Sequence, residues 1–187
     1  HDLGNINGNE ILEVFKQGNI IVHRLKDKPK FKVNDLVKIK IDLARRIQLA
    51  QHHTSTHIIN AAARKILGRH INQAGAAKNA EKAHIDLTHY QSLTKEELDK
   101  IEKEANKIIN KNIEVKKFFM LRDKAEKKYG FSIYQGPAVP GKELRIVDIK
   151  GVDVECCGGT HLDNTREAEK IKIIKATKMS DSVIRLE

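Results

Sequence analysis

The chain has 187 residues, 35 Lys+Arg against 25 Asp+Glu, a formal charge of +10, 40% hydrophobic and 32% charged residues. It contains no apolar run of about 18 residues, which excludes a membrane-spanning helix, and its periodic Ile, Leu and Val exclude wholesale disorder. Its only cysteines, Cys156 and Cys157, are adjacent and cannot staple a secreted scaffold, so a reduced, cytoplasmic setting is expected.

The positive balance fits an acidic partner, nucleic acid being the commonest. Lys-rich solvated helix faces produce the same excess. The chain opens His1-Asp2-Leu3-Gly4, without Met or signal peptide, as an internal piece of a longer polypeptide would.

In chain order, residues 10–26 read as a hairpin around Gln17-Gly18. Val37, Ile39 and Ile41 alternate with Lys38, Lys40 and Asp42, the pattern of a half-buried strand. Residues 1–43 are therefore expected to form a small, incomplete β subdomain, and residues 44–187 a second domain. From Asp42 the period changes to helical through Leu67, with Gly68 as the stop. Short β-like pieces follow, Ala83–Leu87 the clearest. Thr94-Lys95-Glu96-Glu97 is a capping box that opens a second helix with Leu98, Ile101, Ala105, Ile108 and Ile109 on one face. Val115–Leu121 and Leu144–Ile149 read as strands flanking a Lys-rich helix over Arg122–Tyr129. Ile171–Ile174 and Val183–Leu186 are predicted as closing strands. Without a regular βαβ rhythm, the fold class is α+β, a mainly antiparallel sheet packed with a few helices.

Two short motifs carry chemistry. His53-Thr54-Ser55-Thr56-His57 lies inside the first long helix, where residues i and i+4 share one face. Cys157-Gly158-Gly159-Thr160-His161 joins a thiolate and an imidazole across a glycine turn. Each alone is a weak signal, readable as a polar helix face or a glycine loop with a buried thiol. Together they offer four ligands that suit Zn²⁺ better than Mg²⁺ or Ca²⁺, which want oxygen. A rival is Cys157 as a nucleophile activated by His161, which leaves the His pair unexplained. His52 projects about 100° away around the helix, and Cys156 is expected as a small buried apolar residue.

These residues also carry a resemblance. HHTSTHIINAAARKILGRHINQAGAAKNAEKAHIDLTHY followed by VECCGGTHLDNT is similar to the editing domain of alanyl-tRNA synthetases of the archaeal type, over nearly the whole chain. Freestanding alanyl-tRNA editing proteins and, more distantly, the threonyl-tRNA synthetase editing domain are related. The resemblance implies Zn²⁺ held by His53, His57, Cys157 and His161. It implies hydrolysis of the ester that links serine or glycine to the tRNA for alanine. Gln73 holds the position of a glutamine implicated in editing, and Thr54 and Thr56 match the polar helix face. It implies as partners the tRNA 3′ acceptor end and the rest of a synthetase chain, whose ATP-binding motifs are absent from these residues. The glycine-rich strand that precedes the Asp-Leu-Gly segment in the family is also absent from this sequence.

Serine is larger than alanine, so such a site must read the hydroxyl, with Thr54, Thr56 and Gln73 as expected readers. Arg45, Arg46, Arg64, Lys65 and Arg69 are expected tRNA contacts. Two other readings are a freestanding trans-editing hydrolase and a non-catalytic, zinc-stabilised tRNA-binding module.

Overall fold

The structure is a computed structural model that describes residues 1–136 and 139–187. It divides into two compact units, His1–Gln48 and Leu49–Glu187.

The first unit is a four-stranded antiparallel sheet in the order β3-β2-β1-β4. Its strands are β1 (Gly4–Ile6), β2 (Asn9–Gln17), β3 (Ile20–Leu25) and β4 (Ile39–Ile41). β1 and β2 meet at Asn7-Gly8, both with positive φ (50° and 83°), the conformation that a tight two-residue hairpin loop demands and that Asn-Gly supplies. Gly4 is required by packing, because a Cβ there would collide with the Lys40 carbonyl of the neighbouring β4. The expected strand over Val37–Ile41 shortens to β4, and Ile39 is exposed. Alternation alone overstated it, since an edge strand of this small sheet has little core to face. Ile6 and Ile11 are the unit's buried hydrophobics among the described residues.

The first helix, α1 (Leu43–Leu67), starts where Asp42 Oδ1 accepts the Arg45 N–H at 3.1 Å and ends at Gly68, φ 120°. The second unit adds β5 (Gln73–Lys78), β6 (Ala83–Thr88), α2 (Lys95–Asn110), β7 (Val115–Leu121) and α3 (Arg122–Tyr129). It closes with β8 (Glu143–Ile149), β9 (Asp153–Cys156), β10 (Ala176–Ser180) and β11 (Val183–Leu186). One antiparallel sheet has the order β10-β11-β6-β5 and another the order β7-β8-β9. The α+β architecture with antiparallel sheets is as expected.

The capping box of α2 forms as written: Thr94 Oγ1 accepts the Glu97 N–H at 3.2 Å, and the Glu97 carboxylate accepts the Thr94 N–H at 2.8 Å. Ile101, Ala105, Ile108 and Ile109 of α2 join Ile58, Ala62 and Ala63 of α1 in the main core, together with Ile85, Leu87, Ile184 and Leu186. Along β8, Val147 and Ile149 belong to this core, while Leu144 and Ile146 pack with Ala125, Ile133 and Cys156 in a second one. Both faces of β8 are thus covered, which explains its nearly continuous apolar run. Cys156 is a packed apolar side chain.

Ile171–Ile174 is not a strand. Its backbone is held by α2 side chains: the Ile171 N–H donates to Asn106 Oδ1 (3.0 Å) and the Ile173 N–H to Glu102 Oε2 (2.9 Å). Isoleucine alternation marked the extended backbone correctly, but the hydrogen-bond partner is a helix surface. The ladder begins later, at Ala176.

Candidate metal centre

α1 carries His53 and His57 one turn apart, and its buried face is unusually polar, with Thr54, Thr56, His57 and Asn60 all buried. Opposite them, the chain leaves β9 through Cys157-Gly158-Gly159-Thr160-His161. Arg145 of β8 pins this turn, its Nη1 donating to the carbonyls of Cys157 (2.6 Å) and Gly159 (2.9 Å). Gly159 lies against the His53 ring so closely that a Cβ would overlap it.

The turn brings Cys157 Sγ to 3.3 Å from both His53 Nε2 and His161 Nε2. Donor atoms of His53, His57, Cys157 and His161 all lie within 4.8 Å of one another. A tetrahedral ion with bonds of about 2.0 Å to nitrogen and 2.3 Å to sulfur separates those atoms by about 3.5 Å. The four side chains therefore fit a single metal ion.

Each histidine on the buried side is oriented from behind. His57 Nδ1 sits 3.1 Å from Asp153 Oδ2 and 3.1 Å from Glu155 Oε2, all three residues being buried. That fixes its proton on Nδ1 and leaves Nε2 for a metal. Thr54 Oγ1 lies 3.2 Å from His161 Nδ1 and accepts the Leu162 N–H at 3.1 Å. Asn60 Nδ2 donates to Glu155 Oε1 at 3.0 Å, and Arg64 Nη1 lies 3.7 Å from Asp153 Oδ1.

The electrostatics follow from this crowding. Burial alone would push the Cys157 thiol up, but hydrogen bonds from His161, His53 and His57 outweigh it and bring the pKa down to about 2. The thiolate is the form that binds metal. Burial pulls His161 down to about 4 and also lowers His53, keeping both neutral as ligands must be. For His57, burial is outweighed by the Asp153 hydrogen bond, then by Cys157 and Glu155, and the pKa rises to about 10, so a metal at Nε2 would have to displace the second proton of this imidazolium. Burial, with Asp153 alongside, pushes Glu155 up.

Residues 144–187 match the family described as threonyl and alanyl tRNA synthetase second additional domain. Over its whole length the chain is 46% identical to the alanine–tRNA ligase of Methanococcus maripaludis. It is 51% identical to that of Staphylothermus marinus and 48% identical to that of Methanocella arvoryzae, again with the whole chain covered. The resemblance to archaeal alanyl-tRNA synthetases holds over the whole chain. The chain spans about a fifth of the length of these relatives, 21% in each case. The matched synthetase domain includes Cys157 and His161, while the His pair lies in the part shared with the full-length relatives. No helix among the described residues is long and apolar enough to cross a membrane.

Of the other expected site residues, Thr54 and Thr56 each contact one of the four ligands. Thr54 is fully buried, its hydroxyl 3.2 Å from His161 Nδ1. Thr56 donates to the His53 carbonyl of its own helix at 2.7 Å. Gln73 is half-buried at the first position of β5, across from Leu87. His52 turns away, its Nδ1 2.7 Å from the Asn79 carbonyl oxygen. Among the expected tRNA contacts, Arg46 forms an ion pair with Asp2 (2.5 Å) and Arg45 donates to the His1 carbonyl (2.5 Å).

Three partners of the site were not singled out from sequence. Asp153 and Glu155 lie on β9, which no periodicity marks in the sequence. Lys78, the last residue of β5, is half-buried within electrostatic reach of Cys157, and burial lowers its pKa. A buried acid beside a metal motif is a recoverable signal only when the strand alternation around it is trusted. In Asp-Val-Glu-Cys, it is the charged positions that face inward.

Proposed function

We propose that this chain hydrolyses the ester bond of mischarged tRNA, releasing serine or glycine from the tRNA for alanine, as the editing part of an alanyl-tRNA synthetase. The observation that carries this reading is the convergence of His53, His57, Cys157 and His161 on one point, in a chain similar throughout to those ligases. The donor set of one thiolate and three imidazoles suits Zn²⁺. Bound there, zinc supplies a Lewis acid that can polarise an ester carbonyl or lower the pKa of a water.

The protein's own residues hold and select. Asp153 and Glu155 fix the His57 tautomer, and Thr54 fixes the His161 ring, so the ligands are preset before substrate arrives. Gln73 is the proposed reader of the serine hydroxyl or of the terminal ribose. An amide hydrogen-bonds without titrating, and alanine would leave it unpaired. That difference discriminates far better than a missing methylene does. Arg64, Lys65 and Arg69 remain proposed contacts to the tRNA.

The test is serine release from seryl-tRNA for alanine, with alanyl-tRNA as the spared control. Hydrolysis should fall at least about 100-fold with chelator or with His53→Ala, in step with zinc content by elemental analysis. Gln73→Ala should lower it about tenfold or more while zinc is retained. Full activity without zinc, or a chain that shifts tRNA in a gel and releases nothing, would overturn the proposal.

A further inference from the structure

A cleft of about 330 Å³ opens in the second unit between the C-terminal end of α1 and that of α2. Arg64, Lys65, Arg69 and Lys111 line it, with Glu104 as the one carboxylate and Gly151 in its wall. Lys65 is paired with Glu104 at 2.6 Å, which leaves three cations against no remaining acid of the lining. Cations at helix C-termini offset the helix dipole, but Arg69 lies beyond the end of α1.

Two details point to a ligand. Arg64 donates through Nε to the Ile71 carbonyl (3.0 Å) and approaches Asp153 with Nη1, yet its Nη2 is buried without a hydrogen-bond partner among the described residues. A buried guanidinium N–H calls for an acceptor. Gly151 has a φ of 72°, and no atom lies within 4 Å of where a Cβ would stand. Backbone can therefore be approached closely there. None of the lining residues is aromatic, so the cleft offers nothing for a base to stack on and everything for a phosphate.

We infer that this cleft is a binding site for the phosphodiester backbone of RNA. It is distinct from the four-ligand centre but tied to it through Arg64, Asp153 and His57. The occupant rests on the tRNA reading above; the anion chemistry does not. Phosphate oxygens would accept from Arg64, Arg69 and Lys111, and the contact would position the RNA without reading its sequence.

The experiment is fluorescence anisotropy of labelled tRNA for alanine with the 187-residue chain, titrated at several salt concentrations. For Arg69→Ala/Lys111→Ala, the slope of log affinity against log salt should be shallower than wild type by about 2, with metal content unchanged. Lys111→Glu alone should weaken binding further than Lys111→Ala. Wild-type slopes in these variants, or no tRNA binding by the wild type, would overturn the inference. So would inorganic pyrophosphate binding that the double variant abolishes while the tRNA slope stays put, since the cleft would then serve a free phosphate compound. Serine release is read in parallel. Altered slopes without any serine release by the wild type would keep the RNA site and remove the proposed activity. Serine release with unaltered slopes would do the reverse.

Discussion

Gly158 and Gly159 are neighbours in one turn, yet they are not equivalent. A methyl group on Gly158 would meet nothing within 4 Å, whereas one on Gly159 would overlap the His53 ring. His53 is not free to yield, because its Nε2 is held against Cys157 Sγ and its ring packs 4.0 Å, centroid to centroid, from that of His161. Gly159→Ala should therefore displace one of the four ligands. Its metal affinity, measured by competition with a chromophoric chelator, should drop by at least the roughly 10–100-fold typical of losing outer support for a ligand. Gly158→Ala should bind as the wild type does. Equal losses in both would mean that the glycines matter for turn conformation alone.

At the scale of elements, the pairing of β6 with β11 carries a testable charge pair. Asp86 and Arg185 face each other in the ladder, with Arg185 Nε and Nη2 donating to the two carboxylate oxygens at 2.7 and 2.9 Å. The Arg185 hydrogen bond holds the Asp86 carboxyl below its ordinary value of 3.8. A depressed carboxylate stabilises the fold above its unfolded pKa and loses that contribution as pH falls through the folded one. Asp86→Asn should cost about 1 kcal/mol near neutral pH, at the low end for a charge-assisted pair because water reaches it. The gap between variant and wild type in urea unfolding should close once the pH is well below 3.8. A gap that persisted there would assign the loss to packing. Which elements were legible follows the same logic of partners. α3 and β7 have the bounds that their own periodicity indicates, and α2 starts at its written cap. The β1–β2 hairpin turns on Asn7-Gly8, but β1, three residues long, is too short to show alternation. β9 was obscured because Asp153 and Glu155 are inward-facing charges whose partner, His57, lies 96 residues away from Asp153. The ligand pairs were readable because each is local, i to i+4; that they meet, and which groups stand behind them, is a property of the fold.

Taken as a whole, the molecule has two units with very different interiors. The second unit, Leu49–Glu187, contains the main core and the smaller one behind β8. The first, His1–Gln48, buries Ile6 and Ile11, while Leu12, Phe15, Ile20, Ile21 and Ile39 are exposed. Burial of apolar area is the main favourable term in folding, at about 25 cal/mol per Å². A sheet that buries two isoleucines therefore holds its backbone hydrogen bonds with little behind them. Local opening should set in there long before the second unit unfolds. Hydrogen exchange followed by mass spectrometry should find the β2 and β3 amides exchanging about a hundredfold or more faster than those of β6 and β8. Those strands carry Ile85, Leu87, Leu144, Ile146, Val147 and Ile149 at no more than 1% exposure. Adding a metal should slow exchange in α1, which carries His53 and His57, and in β9, whose Asp153 and Glu155 stand behind His57, because a ligand that binds only the folded form raises the free energy of opening. The same metal should leave β2 and β3 unchanged. Uniform protection across all three sheets would instead mean that the 187 residues open as one cooperative body.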